Sequence, residues 1–120
     1  MCTAVRVVVA AAERERRLAL RRATVTAEWE VVGEAADAAG AYREAIERRG
    51  RFLVIEADLA GDDGWQALLR RLRSINPNLL VVGVGEVAGA DASVPGDRLG
   101  DLRAAMRDLL HDRGDHQHAG

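Results

Sequence analysis

Short apolar runs alternate with amphipathic stretches along this chain. The apolar runs are rich in Val, Leu and Ile and too short for helices, which is typical of strands buried on both faces. Between them, apolar residues recur at helical spacing on a charged background, which predicts amphipathic helices. The predicted strands are residues 4–12, 29–33, 52–55 and 79–84, and the predicted helices are residues 13–23, 35–49, 65–75 and a last one from residue 99.

The connections between these elements carry turn and capping signals. Gly50 follows the second predicted helix, where glycine commonly caps a helix C-terminus. The Asn-Pro-Asn stretch at residues 76–78 predicts a helix stop and a turn. Asp97 is expected to cap the N-terminus of the last helix. Residues 1–113 are therefore assigned to one domain, followed by a polar tail at residues 114–120 that is expected to be disordered.

The alternation of strands and helices predicts an α/β three-layer sandwich, a parallel sheet with helices on both faces. One connection departs from this pattern. Only nine residues, 86–94, separate Gly85 from Pro95, whereas a crossover between parallel strands needs roughly 10 to 12 residues for the connection alone. We therefore expect the fourth helix, before a short edge strand at residues 90–94, to be missing or reduced to a turn.

Composition and charge fit one globular domain without a general affinity for nucleic acid or membrane. The chain has 120 residues, of which 48% are hydrophobic and 3% aromatic, so its core must be aliphatic. A net charge of -2 gives no attraction to polyanions, and no nucleic-acid-binding module follows the last helix. The apolar runs are too short for a bilayer, no signal peptide is visible, and a single Cys2 suits a reducing compartment, so a cytoplasmic location is expected.

Several segments, taken in order, resemble the receiver domain of bacterial response regulators, the CheY-like fold. Residues 30–37 (EVVGEAAD) are similar to the second strand and following turn of receivers attached to NarL-type DNA-binding domains. Residues 62–82 resemble the third helix and fourth strand, and Val94-Pro95 with the last helix resembles the Lys-Pro turn and final helix. The resemblance covers nearly the whole chain and implies a parallel sheet of strand order 2-1-3-4-5.

The resemblance also implies five functional positions at the carboxyl ends of the strands, and none carries the residue usual for the family. The acidic pair falls on Ala11 and Ala12, the phosphoacceptor aspartate on Glu56, the hydroxyl residue on Gly85 and the lysine on Val94. All 17 basic residues are arginine, so no lysine can take that role. Phosphoryl transfer depends on Mg²⁺, positioning and charge stabilisation. The resemblance therefore implies a degenerate phosphoacceptor pocket without phosphorylation, metal or cofactor.

Other interpretations of the pocket stay open. Glu56 is either a stand-in for a phosphorylated aspartate or a solvated carboxylate at a strand end. Asp58 offers a competing alignment as the acceptor, which would make the chain a conventional response regulator. Gly83, Gly85 and Gly89 lie in a GVGEVAG stretch. This stretch is either a turn with close backbone packing, since no ten-residue helix follows it, or a loop for a dinucleotide or flavin, as in a flavodoxin-like small-molecule-binding domain or enzyme.

Charged side chains offer two weaker candidate sites. Five arginines lie on the first predicted helix, from Arg14 to Arg22. They form either a solvated face with ion pairs to Glu13 and Glu15 or a docking face for an acidic partner. Histidines near the C-terminus could bind at most an adventitious metal ion, and these are His111, His116 and His118.

The expected function is therefore non-enzymatic, a receiver-like protein that acts through protein–protein contacts in a regulatory pathway. The resemblance places the switching and dimer face on the fourth helix, fifth strand and fifth helix. Loss of the fourth helix is expected to uncover apolar sheet surface, and such patches usually mark interfaces. The interaction face expected for a homodimer or another partner comprises Val82, Val84, Val94, Leu99, Leu102 and Met106.

Overall fold

The computed structural model describes the backbone of residues 4–60 and 63–119, and the side chains of residues 4–60 and 64–111. Within these residues, one sheet contains β1 Val5–Ala10, β2 Trp29–Ala35, β3 Phe52–Glu56, β4 Leu80–Val84 and β5 Ala92–Val94. The α-helices are α1 Arg14–Thr24, α2 Ala38–Glu47, α3 Asp63–Ile75 and α4 Leu102–Ala119, and a 3-10 turn at Leu99–Asp101 precedes α4. All paired strands are parallel, and the order β2-β1-β3-β4-β5 confirms the predicted fold.

Two apolar cores hold the layers together, one on each face of the sheet. On one face, Val8 and Leu53 are buried with side chains of α2 and α3. On the other face, Val7 and Val54 are buried with side chains of α1 and α4. Because successive strand residues point to opposite faces, a central strand covered by helices on both sides must be apolar without interruption. This is why the continuous runs in β1, β3 and β4 predicted strands correctly.

A loop at residues 85–91 replaces the helix that a regular crossover would supply, as the short connection predicted. Val87 of this loop is buried against Gly83, where an added Cβ would lie only 2.7 Å from the Val87 Cβ. The indole Nε1 of Trp65 donates a hydrogen bond of 3.2 Å to the Ala88 carbonyl. The loop therefore covers the sheet by itself and is held to α3.

The prediction that apolar sheet surface is left uncovered near Val82, Val84 and Val94 is wrong. The missing helix belongs to the face that carries Gly83, whereas the even-numbered residues of β4 point to the opposite face, which α4 covers. Leu99 is only partly buried. The other five side chains of the expected interaction face are 0 to 3% exposed, and they are Val82, Val84, Val94, Leu102 and Met106.

Two capping predictions are also wrong. At the end of α2, Arg49 and not Gly50 takes the left-handed conformation, with a φ of 52°. Asp97 lies inside a turn closed by a 2.9 Å hydrogen bond from the Arg98 N–H to the Pro95 carbonyl. Arg98 precedes the 3-10 turn and makes no side-chain capping bond. Both helix ends are set by main-chain geometry that the residue types did not signal.

The start of α2 lies three residues later than predicted. β2 continues to Ala35, so the chain is still extended where a helix was expected. The Asp37 carboxylate accepts a hydrogen bond of 2.6 Å from the Gly40 N–H and so acts as the N-cap. The first helical residue is therefore Ala38.

The two edge strands of the sheet are irregular or short. Along the β1–β2 pair, Val7 is opposite Val31 and Val8 is opposite Gly33, so Val32 forms a bulge in β2. At the other edge, β5 has only three residues. Neither edge is a long, regular strand.

The last helix, α4, continues to Ala119 and so enters residues 114–120, the segment predicted as a tail. The side chains of that segment lie outside the described residues, and its disorder stays a prediction. No helix in the described part of the chain is long and apolar enough to span a membrane.

Candidate functional site

The predicted pocket lies at the edge of the sheet where the carboxyl ends of the parallel strands meet. Ala12, Glu56 and Asp58 line a small cavity of about 170 Å³ at this edge, and Glu13 and Arg16 complete its lining. The structure thus brings three of the predicted pocket residues together. It adds two residues of the β1–α1 connection and α1 that the sequence did not assign to the pocket.

Glu56 is bound by an arginine. Its Oε2 atom accepts a hydrogen bond of 2.9 Å from Nε of Arg16, and the Arg16 Nη2 lies 2.8 Å from the same oxygen. The side chains of Glu56 and Arg16 are 14% and 34% exposed. Glu56 is therefore not a solvated carboxylate, because a protein cation neutralises it and its side chain is largely buried. Its role as a stand-in for a phosphorylated aspartate stays a prediction.

The electrostatics of the cavity centre on Arg16. The hydrogen bond to Glu56 raises the pKa of the Arg16 guanidinium above its ordinary value, while partial burial acts in the opposite direction. The negative charges of Glu56, Glu13 and Asp58 raise this pKa further. Since arginine is already charged at any physiological pH, the cavity holds a permanent cation.

Arg16 also connects two separate loops. Its Nη2 donates a hydrogen bond of 3.0 Å to the carbonyl of Gly96, in the β5–α4 loop. The same guanidinium thus ties α1, the end of β3 and the residue after Pro95 to one another. Spacing along α1 did not single out Arg16, because only the fold shows which of the five arginines faces the mouth of the sheet.

The two alanines at the acidic-pair positions have their backbone oxygens occupied. Nη1 of Arg17 donates hydrogen bonds of 2.9 and 3.0 Å to the carbonyls of Ala11 and Ala12. Ala11 is 0% exposed, and Ala12 lines the cavity. Neither position offers a carboxylate, and an arginine binds both carbonyls.

Gly85 occupies the position of the hydroxyl residue and cannot easily carry one. Its φ is +91°, a conformation that side chains rarely adopt, and an added Cβ would lie 3.0 Å from the Ala57 Cβ. The Gly85 N–H donates a hydrogen bond of 2.8 Å to the Val94 carbonyl. Val94 itself, at the lysine position, is buried in the core beneath α4.

Asp58 is exposed in the turn after β3 and lines the same cavity. Glu13, the other acidic residue besides Glu56 in that lining, is also exposed. Among the residues that the structure describes, no three His, Cys, Asp or Glu side chains are arranged to hold a metal ion.

The glycine-rich stretch is explained by packing and turns. Gly85 and Gly89 have positive φ, and an added Cβ on Gly89 would lie 2.6 Å from the Leu69 side chain. No helix begins within residues 85–91, so this loop does not present a helix N-terminus to a phosphate group. The geometry does not favour a dinucleotide loop.

The arginines of α1 pair differently from the expected pattern. The nearest ion pairs of Arg17 and Arg21 are with Glu34 of β2, at 3.9 and 3.2 Å. Arg14 and Arg22 are exposed, and a docking role for this helix stays a prediction. His111 is exposed on α4. His116 and His118 lie outside the described side chains.

Comparison with known proteins identifies solved structures of similar fold. Neither a protein-family model nor a curated protein matches this chain. A CheY-like response regulator receiver domain protein from Methanospirillum hungatei JF-1 matches with 16% identity and a TM-score of 0.77, over 95% of this chain and 99% of that chain. The RcsB response regulator from Salmonella typhimurium matches with 17% identity and a TM-score of 0.74, over 93% of this chain. This chain spans only 62% of that RcsB chain.

A third similar structure contains a protein complex. It is the P1 domain of CheA3 with CheY6 from R. sphaeroides, matched with 19% identity and a TM-score of 0.70 over 91% of this chain and 98% of that chain. At such identities the likeness establishes the fold, while function has to be argued from the site. The chain has the fold of a CheY-like receiver domain, as the sequence resemblance implied.

Proposed function

We propose that this chain is a receiver-like signalling protein that works without phosphorylation and acts by binding another protein. The observation that carries this proposal is the contact between Glu56 and Arg16. A phosphoacceptor needs a carboxylate oxygen that can attack phosphorus, with a divalent cation beside it. Here a fixed guanidinium lies against the acidic side chain, so the protein itself neutralises Glu56.

The remaining groups of the pocket support the same proposal. Transition-state charge on a transferred phosphoryl group is stabilised by cations and hydrogen-bond donors aimed at its oxygens. At the positions where the resemblance places those donors, the chain has Gly85, which carries no side chain, and a buried Val94. The described cavity lining also contains no Ser, Cys or His that could act as a nucleophile or base. We therefore propose no catalytic activity for this domain.

Protein binding is the mode of action that the fold comparison favours. The similar CheY6 structure was determined with the P1 domain of CheA3, a case of this fold in contact with another protein. The partner of the present chain is proposed to be a protein of a regulatory pathway or a second copy of the chain. A cytoplasmic location is part of the proposal.

Phosphorylation with a small donor tests the proposal directly. The protein is incubated with acetyl phosphate and Mg²⁺, and its intact mass is measured alongside that of an Asp58→Ala variant. We expect no gain of a phosphoryl group in either protein. We also expect no amide shifts in NMR spectra when beryllofluoride and Mg²⁺ are added, because Arg16 already binds Glu56 and the positions of the usual acidic pair carry Ala11 and Ala12.

A different result would identify a conventional regulator. A gain of one phosphoryl group that disappears in Asp58→Ala would show that the exposed Asp58 is the acceptor, and the proposal would then be wrong. A Glu56→Asp variant is the matched control for the other alignment. It should stay unmodified, because Arg16 and the two alanines are unchanged.

A further inference from the structure

A second, larger cavity lies at the opposite edge of the sheet from Glu56. Its volume is about 650 Å³, and its lining residues fall within 45–51 and 75–78. These segments contain the last turns of α2 and α3 and the loops that lead into β3 and β4. We call this cavity the basal groove.

The walls of the basal groove are partly apolar. Ala45 and Ile46 of α2 line one side, and Ile75 at the end of α3 lines the other. Ile75 is 56% exposed, more than any other large hydrophobic residue in the described part of the chain. Ile75 therefore adds exposed apolar surface to the wall of the groove.

The charge of the basal groove is the reverse of the charge of the chain. Arg49 and Arg51 line it, and its described lining includes no acidic residue, although the net charge of the protein is -2. Nη1 of Arg51 donates a hydrogen bond of 2.8 Å to the Asn78 carbonyl, which fixes this guanidinium at the rim. Within the described residues, no hydrogen bond or ion pair engages the guanidinium of Arg49.

Arg49 is held in the groove by an unfavourable backbone conformation. Its φ is 52°, and the α2 terminus is closed by hydrogen bonds from the Arg49 N–H to the Ile46 carbonyl and from the Gly50 N–H to the Ala45 carbonyl. Glycine is the residue preferred at this left-handed position. A strained residue of this kind is a reason to look for function.

The neighbouring glycine does not relieve this strain. Gly50 lies one residue too late for the cap, and it is instead packed against β1, since an added Cβ would lie 3.3 Å from Val8 Cγ2. The chain thus places a glycine where packing is tight and an arginine where the backbone would favour glycine. Helix capping does not explain the arginine.

We propose that the basal groove binds an extended segment of a partner protein in which an aliphatic side chain lies beside a carboxylate. The aliphatic side chain would pack against Ile46 and Ile75, and the carboxylate would pair with Arg49. The exposed side-chain amide of Asn78 can exchange hydrogen bonds with a peptide backbone. This inference rests on the proposed function, because it names the class of partner and the surface that contacts it.

A peptide titration followed by NMR tests the groove. The probe is a short acetylated and amidated peptide with a leucine between two aspartates, and the control peptide carries lysines in place of the aspartates. We expect amide shifts confined to residues 45–51 and 75–78, with the acidic peptide only. Added salt should weaken binding, because the ion pair is solvent-exposed.

Variants at Arg49 separate binding from folding. Arg49→Ala removes the charge but keeps a residue with a side chain at the left-handed position, and it should weaken peptide binding about two- to fivefold. Arg49→Gly should weaken binding equally while raising the melting temperature by a few degrees, because it removes the backbone strain. Ile75→Ser should also weaken binding. Arg70→Ala, an exposed arginine of α3 outside the groove, is the matched control and should bind as the unchanged protein does.

Three outcomes would overturn the inference. They are equal binding of the two peptides, equal affinity of Arg49→Ala and the unchanged protein, and shifts that map elsewhere. Co-sedimentation with phosphatidylglycerol vesicles that depends on Arg49, without peptide binding, would also overturn it and assign the groove to a lipid surface. The titration uses no Mg²⁺ or phosphoryl donor. Its failure therefore leaves the acetyl phosphate result, and with it phosphorylation independence, unaffected.

Discussion

At the residue scale, Arg16 and Arg17 are neighbours on α1 that bind different parts of the same pocket. Arg17 occupies the backbone oxygens of Ala11 and Ala12, whereas Arg16 occupies the carboxylate of Glu56. Receiver chemistry would need carboxylates and a metal ion in this place. The two arginines instead supply permanent positive charge, and they leave no oxygen-rich cluster in the described pocket for Mg²⁺.

Replacing Arg16 by glutamine should lower the free energy of unfolding by about 1 kcal/mol, a small value because the pair is partly exposed. The loss arises because Glu56 and the Gly96 carbonyl both lose their cation. Urea denaturation measures it, and Arg14→Gln, at an exposed position on the same helix, is the control with little expected change.

The pH dependence of the Arg16 contribution has a definite sign. Folding raises the pKa of Arg16. Its contribution to the free energy of unfolding is therefore fully present below the pKa of the unfolded state and is lost only as the pH rises through the pKa of the folded state. Both of these pKa values lie above the physiological range, so the Arg16 guanidinium should not titrate between about pH 5 and 9. Equal stability of Arg16→Gln and the unchanged protein would contradict the assigned role.

The sequence alone predicted which residues usual for the family are missing from the pocket. It did not predict that Arg16 lies there instead. Ala11 and Ala12 could be placed by counting back from the first helix, Gly85 by the end of its apolar run, and Val94 by the proline that follows it. Arg16 could not be identified, because its partner lies 40 residues away on β3. Pairing across such a distance depends on how α1 is rotated against the sheet.

At the scale of elements, the loop at residues 85–91 shows what chain length alone can predict. A nine-residue connection is too short for a helix and a strand, and this predicted the missing helix correctly. It did not predict which face would be affected. Strand alternation places Val82 and Val84 under α4, and the loop covers the other face with Val87. The expected apolar patch was assigned to the wrong face of β4.

Gly83→Ala tests how closely this loop packs. The added Cβ would lie 2.7 and 2.8 Å from two Val87 side-chain atoms, so overpacking should cost about 1 to 3 kcal/mol of unfolding free energy. In a Val87→Gly background both atoms are absent, and the cost should fall well below that value. Gly100→Ala is the matched control, because nothing lies within 4 Å of its added Cβ.

Calorimetry or urea denaturation of the four proteins in this cycle provides the measurement. If Gly83→Ala cost the same in both backgrounds, the loop would not pack on the sheet as described. The cycle thus tests whether the loop packs on the sheet in the place of a helix, and it does not depend on the function of the protein.

At the scale of the whole molecule, the alternation of strands and helices predicted the layers, and the resemblance to receiver domains implied the sheet order. The contact surface predicted for a homodimer is wrong, because five of its six residues are buried. A second copy could still bind through exposed charged side chains of α4, such as Arg107 and Asp108. In a two-fold contact the same surface pairs with itself, so mixed charges can complement each other.

We expect this homodimer to be polar and sensitive to salt. Light scattering at low ionic strength should show association that decreases as sodium chloride is added, since exposed ion pairs are screened. An Asp108→Arg variant should weaken it by placing like charges together. A monomer at high concentration in low salt would exclude the homodimer and leave a different protein as the partner.

The bulge at Val32 and the three-residue β5 have a consequence for how the molecule survives in a crowded cell. A parallel sheet with two open sides can template foreign strands and grow into aggregates. Here one side is kinked by an extra residue, and the other is too brief to guide a neighbour. A protein proposed to act by binding a partner thus does not favour strand addition at the edges of its sheet. Recognition is left to side chains, which mutation can change one at a time.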